Sequence, residues 1–124
     1  SRIREYIEGE AHIKGFLRAY LGMYRYYQLY PEYELNKGFA DFFFKPSLSV
    51  PVLPPFTYLL EVKYAKAGAS EKEIRALADE AREQLLRYSE DELVAEAKAK
   101  GELKLITIVW RSWELALLEE VTLS

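Results

Sequence analysis

The chain has 124 residues, half of them apolar and 30% charged, with a net charge of −3 and no cysteine. That is the size and make-up of one globular domain, able to bury about two thirds of its unfolded surface with no disulfide or metal holding it together. Disulfides, zinc–thiolate sites and cysteine nucleophiles are excluded, and the single histidine, His12, excludes a multi-histidine metal centre. No apolar run is long enough to cross a membrane and no signal peptide pattern opens the sequence, so we expect a cytoplasmic protein. Ser1 leads straight into a helical pattern without a starting methionine, and 1–124 reads as one domain of a longer chain.

Residues 3–29 are expected to form one helix or two in succession, because Ile13, Phe16, Leu17, Tyr20, Tyr24 and Tyr27 recur at helical spacing. Lys14, Arg18 and Arg25 fall within about 40° of one another around that helix. This basic edge suits either a phosphate backbone or plain solvent. Tyr30-Pro31 ends the pattern, since the residue before a proline avoids helical backbone. Tyr33–Leu35 and Phe39–Phe44 read as short strands around the turn residues Asn36-Lys37-Gly38. Lys45 to Pro55 holds four of the five prolines and reads as a loop.

Thr57–Tyr64 is apolar on both parities, as in a central strand buried on both faces. Ser70-Glu71-Lys72-Glu73 is a capping box opening a helix to about Tyr88, with Leu77, Ala78, Ala81, Leu85 and Leu86 inward. Ser89-Glu90-Asp91-Glu92 is read as a second capping box, starting a short helix that Gly101 ends. Leu103–Trp110 is another apolar strand, joined through Arg111-Ser112 to an amphipathic final strand, Trp113–Val121. The edge of that last strand suits pairing with a second copy or with the rest of a longer chain. The helix between Tyr64 and Leu103 permits a crossover between parallel strands. We therefore expect an α/β chain with a mixed sheet flanked by helices.

One strand raises a chemical question. In FTYLLEVKY, residues 56–64, Glu61 and Lys63 stand two apart and so share a face. A buried unpaired charge costs several kcal/mol, so the pair is either a strand-end ion pair reaching water or part of a site. Asp41 interrupts the aromatic run Phe39 to Phe44, where aspartate is a poor strand former. Adjacent pairing of the two strands allows Asp41 to share a face with Glu61 and Lys63. Two carboxylates can be held together by a hard divalent cation, and oxygen ligands without His or Cys suit Mg²⁺ or Mn²⁺.

Gly38-Phe39-Ala40-Asp41, a loop, then Glu61-Val62-Lys63 resembles the motif of the PD-(D/E)XK nuclease superfamily, most closely the bacterial branch often found C-terminal to AAA-ATPase-like domains. The resemblance runs from about Glu10 to Trp110. It implies a restriction-endonuclease-like αβββαβ core, here with one extra C-terminal strand. It also implies that Asp41 and Glu61 bind Mg²⁺ or Mn²⁺ with the Val62 carbonyl, and that Lys63 is the catalytic lysine. A further glutamate on the first helix would be Glu10, or failing that Glu8. Gln84 and Tyr88, four apart on one helix face, match a glutamine–tyrosine pair that often follows. The family proline before the aspartate is Ala40 here. The branch's usual arginine after the glycine is Phe39, which puts a phosphate contact in doubt rather than the metal.

The reading is thus a metal-dependent nuclease acting on DNA. The alternative is a catalytically idle binding or regulatory module of the same fold, attached to an ATPase or forming a homodimer. A third, weaker reading makes the charged trio a salt-bridge cluster only. His12 reads as a packing or capping residue more readily than a catalyst. The ten tyrosines suit core packing more than base stacking.

Overall fold

In the computed structural model, residues 27–35, 38–46 and 56–123 are described. Five strands follow from the apolar runs: β1 (Tyr27–Leu35), β2 (Gly38–Pro46), β3 (Thr57–Ala65), β4 (Leu103–Arg111) and β5 (Glu114–Val121). Between β3 and β4 lie α1 (Glu71–Tyr88), a 3₁₀ turn (Glu92–Val94) and α2 (Ala95–Ala99). The sheet order is β1-β2-β3-β4-β5, with β3–β4 parallel and every other pair antiparallel. This is the expected mixed α/β arrangement, from the first strand of the αβββαβ core onward, with β5 as the extra strand. Of the helical stretch expected over residues 3–29, the part up to residue 26 falls outside the described residues.

Three local expectations are corrected. Tyr27–Leu29, placed at the end of the first helix by periodicity, belong to β1 and pair with Phe44–Pro46. Extended backbone before Pro31 runs further back than the apolar stripe suggests, because ladder bonds to β2 outweigh local helical preference. By the same pairing, Lys45 and Pro46 belong to β2 and not to the loop. The second capping box is absent: Ser89 ends α1, with its hydroxyl donating to the Leu86 carbonyl at 2.6 Å. Asp91 does the capping instead, its carboxylate accepting from the Leu93 amide at 2.9 Å. The first box holds, with the Ser70 hydroxyl accepting from the Glu73 amide at 3.2 Å.

α1 lies on one face of the sheet. Leu85 and Tyr88 from the helix close over Phe43, Leu59 and Leu105, and Ile74 and Ala78 over Val109. The other face carries Phe42, Phe44, Leu60, Val62 and Ile108. This splits each strand by parity: Phe43 opposite Leu59 faces the helix, and Phe42 opposite Leu60 faces away. β3 is buried along most of its length, as a central strand should be. β5 is an edge of the described sheet and leaves Leu115 and Leu118 exposed.

Gly38 fixes where β2 meets α1. Its φ is +139°, and a Cβ there would stand 3.1 Å from Tyr88 Cε1 and 3.3 Å from Tyr88 Oη. An L side chain would be strained at this φ and would press on the ring. Gly38→Ala is expected to destabilise the fold by about 1–3 kcal/mol. Urea denaturation checks this, as a lowered midpoint at unchanged slope.

Candidate active site

Strand parity decides which charged groups meet. Asp41 is two residues from Phe43, and Glu61 two from Leu59, so both lie on the face that α1 covers. The paired positions of β2 and β3 run from Phe44/Tyr58 to Phe42/Leu60. One step further, the cross-strand bonds are made by carboxylates. The Asp41 amide donates to Glu61 Oε1 at 3.1 Å, and the Val62 amide donates to Asp41 Oδ2 at 2.8 Å. Each acid thus accepts from the backbone of the strand that carries the other.

A break in the neighbouring ladder accompanies this clasp. β1 pairs Pro31 with Phe42 and Tyr33 with Ala40, and skips the Glu32/Asp41 position between them. Glu32 there has a φ of +49°, in the left-handed region that glutamate seldom adopts. Irregular pairing of this kind re-aims a strand beside a site, and here it accompanies an Asp41 amide bonded to Glu61 rather than to a ladder carbonyl. Within one strand residue the amide and carbonyl point to the same neighbour. The Val62 carbonyl is therefore turned toward β2, like its amide.

Burial sets the electrostatics. Glu61 is only 4% exposed. Its carboxyl is pushed up to about 8, first by burial and then by the Asp41 charge; the Asp41 amide and the Lys63 ammonium pull it down by less. Lys63 lies on the same face and reaches Glu80 of α1, Nζ to Oε1 at 3.6 Å. Tyr88, one end of the same helix, feels both carboxylates: burial raises its phenol first, Glu61 next, and Asp41 also contributes. Gln84 lies one turn from Glu80 and one from Tyr88, and its buried Oε1 has no partner in the described structure.

The structure therefore brings together Asp41, Glu61, Lys63 and Tyr88, and Gln84 lies on α1 between Glu80 and Tyr88. Glu10, Glu8, His12, Lys14, Arg18 and Arg25 lie outside the described residues. Two nearby residues were not singled out from sequence. Glu80 pairs with Lys63, and its only signal is its position one turn before Gln84. Thr107 sits beside Glu61 in the parallel β3–β4 register, is 1% exposed, and has a hydroxyl without a partner among the described residues. Its signal is that it is the polar member of the row Leu105, Thr107, Val109, which faces the helix.

The two carboxylates offer oxygen donors of the kind a hard divalent ion takes, and beside Glu61 the buried Thr107 hydroxyl has no partner among the described residues. These residues fit a hard divalent ion. Among the described residues no three His, Cys, Asp or Glu side chains converge, so within them the acidic donors are the Asp41–Glu61 pair. Among the described residues no helix is long and apolar enough to cross a membrane.

Glu61 gives a pH signature. Its folded value of about 8 lies above the ordinary 4.5, so the folded protein keeps a proton that the unfolded chain releases. That contribution is fully present below about 4.5 and is lost as pH rises through about 8. Between about pH 5 and about pH 9, metal-free wild type should lose stability relative to Glu61→Gln, as read from urea midpoints. A difference independent of pH would contradict it.

No match was found among curated proteins or solved structures. A family model does match, over residues 8–120, a span that takes in the carboxylate pair, Lys63, all of α1 and most of β5. By that match the chain belongs to the PD-(D/E)XK nuclease superfamily.

Proposed function

We propose that the Asp41–Glu61–Lys63 site hydrolyses phosphodiester bonds of nucleic acid, DNA being the expected substrate, with Mg²⁺ or Mn²⁺ as cofactor. The observation that carries this reading is the clasp between β2 and β3. It holds two carboxylates of adjacent strands against each other's backbone with an ammonium on the same face. Membership of a nuclease superfamily whose proteins generally use divalent metals agrees with it.

Asp41, Glu61 and the Val62 carbonyl would hold the ion. Bound there, it would supply the positive charge that acidifies water and offsets the charge of the phosphate. The protein's own groups do the rest. The two amide bonds fix the carboxylate orientations, so no reorganisation is needed when the site fills. Glu61 must release its proton before it can act as a ligand; burial, and after it the charge of Asp41, is the reason that proton is retained. Lys63 contributes a permanent cation close to where charge builds in the transition state. α1 closes over the site and limits water.

The net charge of −3 favours a second reading, an idle binding or regulatory module of the same fold. Two measurements separate them. Mn²⁺ should raise the melting temperature, because an ion that binds only the folded state stabilises it by about 2.7 kcal/mol at a hundred times its dissociation constant. The rise should grow with pH up to about 8, as Glu61 gives up its proton. Asp41→Asn and Glu61→Gln should each abolish it. Lys63→Ala should retain the Mn²⁺ response and lose cleavage of a DNA substrate by a factor of about 10²–10³. A Mn²⁺ response with no cleavage by wild type would favour the idle module.

A further inference from the structure

The helix that covers the site presents different charges on its two flanks. At 100° per residue, Glu80, Gln84 and Arg87 fall within about 60° of one another, while Arg75 and Arg82 fall within about 20° on the opposite flank. Contacts confirm the division. Glu80 reaches Lys63 of β3, whereas Arg75 binds Glu119 of β5 through two hydrogen bonds of 3.0 and 2.6 Å. The Glu80–Gln84–Arg87 flank is the one that reaches β3, through Glu80 and Lys63.

Arg87 is exposed, with its guanidinium carbon 5.7 Å from the centroid of the Tyr88 ring. That ring packs on Gly38 at the start of β2, three residues before Asp41. Arg87 is thus linked to the β2 end of the site through the Tyr88 ring and Gly38. Arg75 and Arg111 are engaged by Glu119 and Glu71, but no described carboxylate lies within ion-pairing distance of Arg87. A guanidinium lying on an aromatic face keeps its fork of N–H donors in a defined plane, which suits two oxygens of one phosphate.

Charge balance asks for such a group. A divalent ion is neutralised by Asp41 and Glu61, and Lys63 by Glu80, so those groups alone offer an anionic phosphodiester no net attraction. One further cation at the rim gives the site the sign opposite to its substrate. We propose that Arg87 is a phosphate-binding residue of this site, holding the nucleic-acid backbone beside the carboxylate pair. The assignment rests on the nuclease reading and would supply a phosphate contact of the kind that Phe39 leaves open.

Binding of a fluorescent DNA duplex, titrated against salt in Ca²⁺ and again in EDTA, tests it without relying on cleavage. Arg87→Ala should weaken binding about 5–10-fold near physiological salt and flatten the plot of log affinity against log salt by about 0.9, the loss of one phosphate contact. Arg87→Lys should restore the slope and part of the affinity. Arg82→Ala, on the far flank, should bind like wild type, and Arg87→Ala should keep the Mn²⁺-induced rise in melting temperature. Wild-type affinity and slope in Arg87→Ala would overturn the assignment and leave the nuclease reading standing. An equal loss in Arg82→Ala would overturn it too, by showing a general charge effect. Absence of saturable DNA binding by wild type in both buffers would bring down both readings.

Discussion

Two acids on neighbouring strands, Glu61 buried and Asp41 half-buried, stand side by side, and the structure around them is arranged to hold them there. The Asp41 amide on Glu61 and the Val62 amide on Asp41 replace the ladder bonds that β2 and β3 would otherwise make at this point. Without those bonds, two acids inside a sheet–helix interface would be desolvated and unpaired, which proteins avoid at a cost of several kcal/mol. With them, the remaining tension is stored as a proton that Glu61 keeps to about pH 8. A carboxyl that holds a proton first because it is buried and then because another anion is beside it is also a group that a dication can serve well.

That constraint explains several features that look unrelated along the chain. Glu32 takes a left-handed backbone opposite Asp41, where the β1–β2 ladder skips one position. Gly38 admits the Tyr88 ring where any larger residue would push it away. Glu80 reaches down to Lys63, and thus balances an ammonium that faces the helix. Each departs from what a plain sheet and helix would choose, and all of them border the carboxylate pair. Strain and irregular pairing gathered around one spot are the usual mark of a working site.

The same helix serves structure and site through different flanks. Its buried face, Ile74, Ala78, Ala81 and Leu85, anchors it to the sheet. The Arg75 flank ties it to β5, and the Arg111–Glu71 pair ties its first turn to the end of β4. Anchored on those sides, α1 can hold Glu80, Gln84 and Tyr88 at fixed heights above β3. A site supported on packed elements keeps its geometry better than one carried on loops.

Much of this was legible in the residues. Apolar runs with turn chemistry between them marked the strands, and Ser70 with Glu73 marked the start of α1, because these signals act over a few residues. Asp41 among phenylalanines, and Glu61 two before Lys63, marked the site by chemical incongruity alone. Periodicity failed at Tyr27–Leu29, where pairing with β2 overrode helical spacing, and at Ser89, where the true cap is Asp91. The sequence by itself therefore determined the strands and helices of the described residues and their order, and it singled out the acids and the lysine that the proposal uses. Only the tertiary structure decided that β2 and β3 are neighbours in a register placing both acids beneath α1, that Thr107 stands beside Glu61, and that Glu80 reaches Lys63. The Asp41–Glu61, Glu61–Thr107 and Lys63–Glu80 relations join residues 17 to 46 positions apart, and no local preference of the chain carries information over such distances.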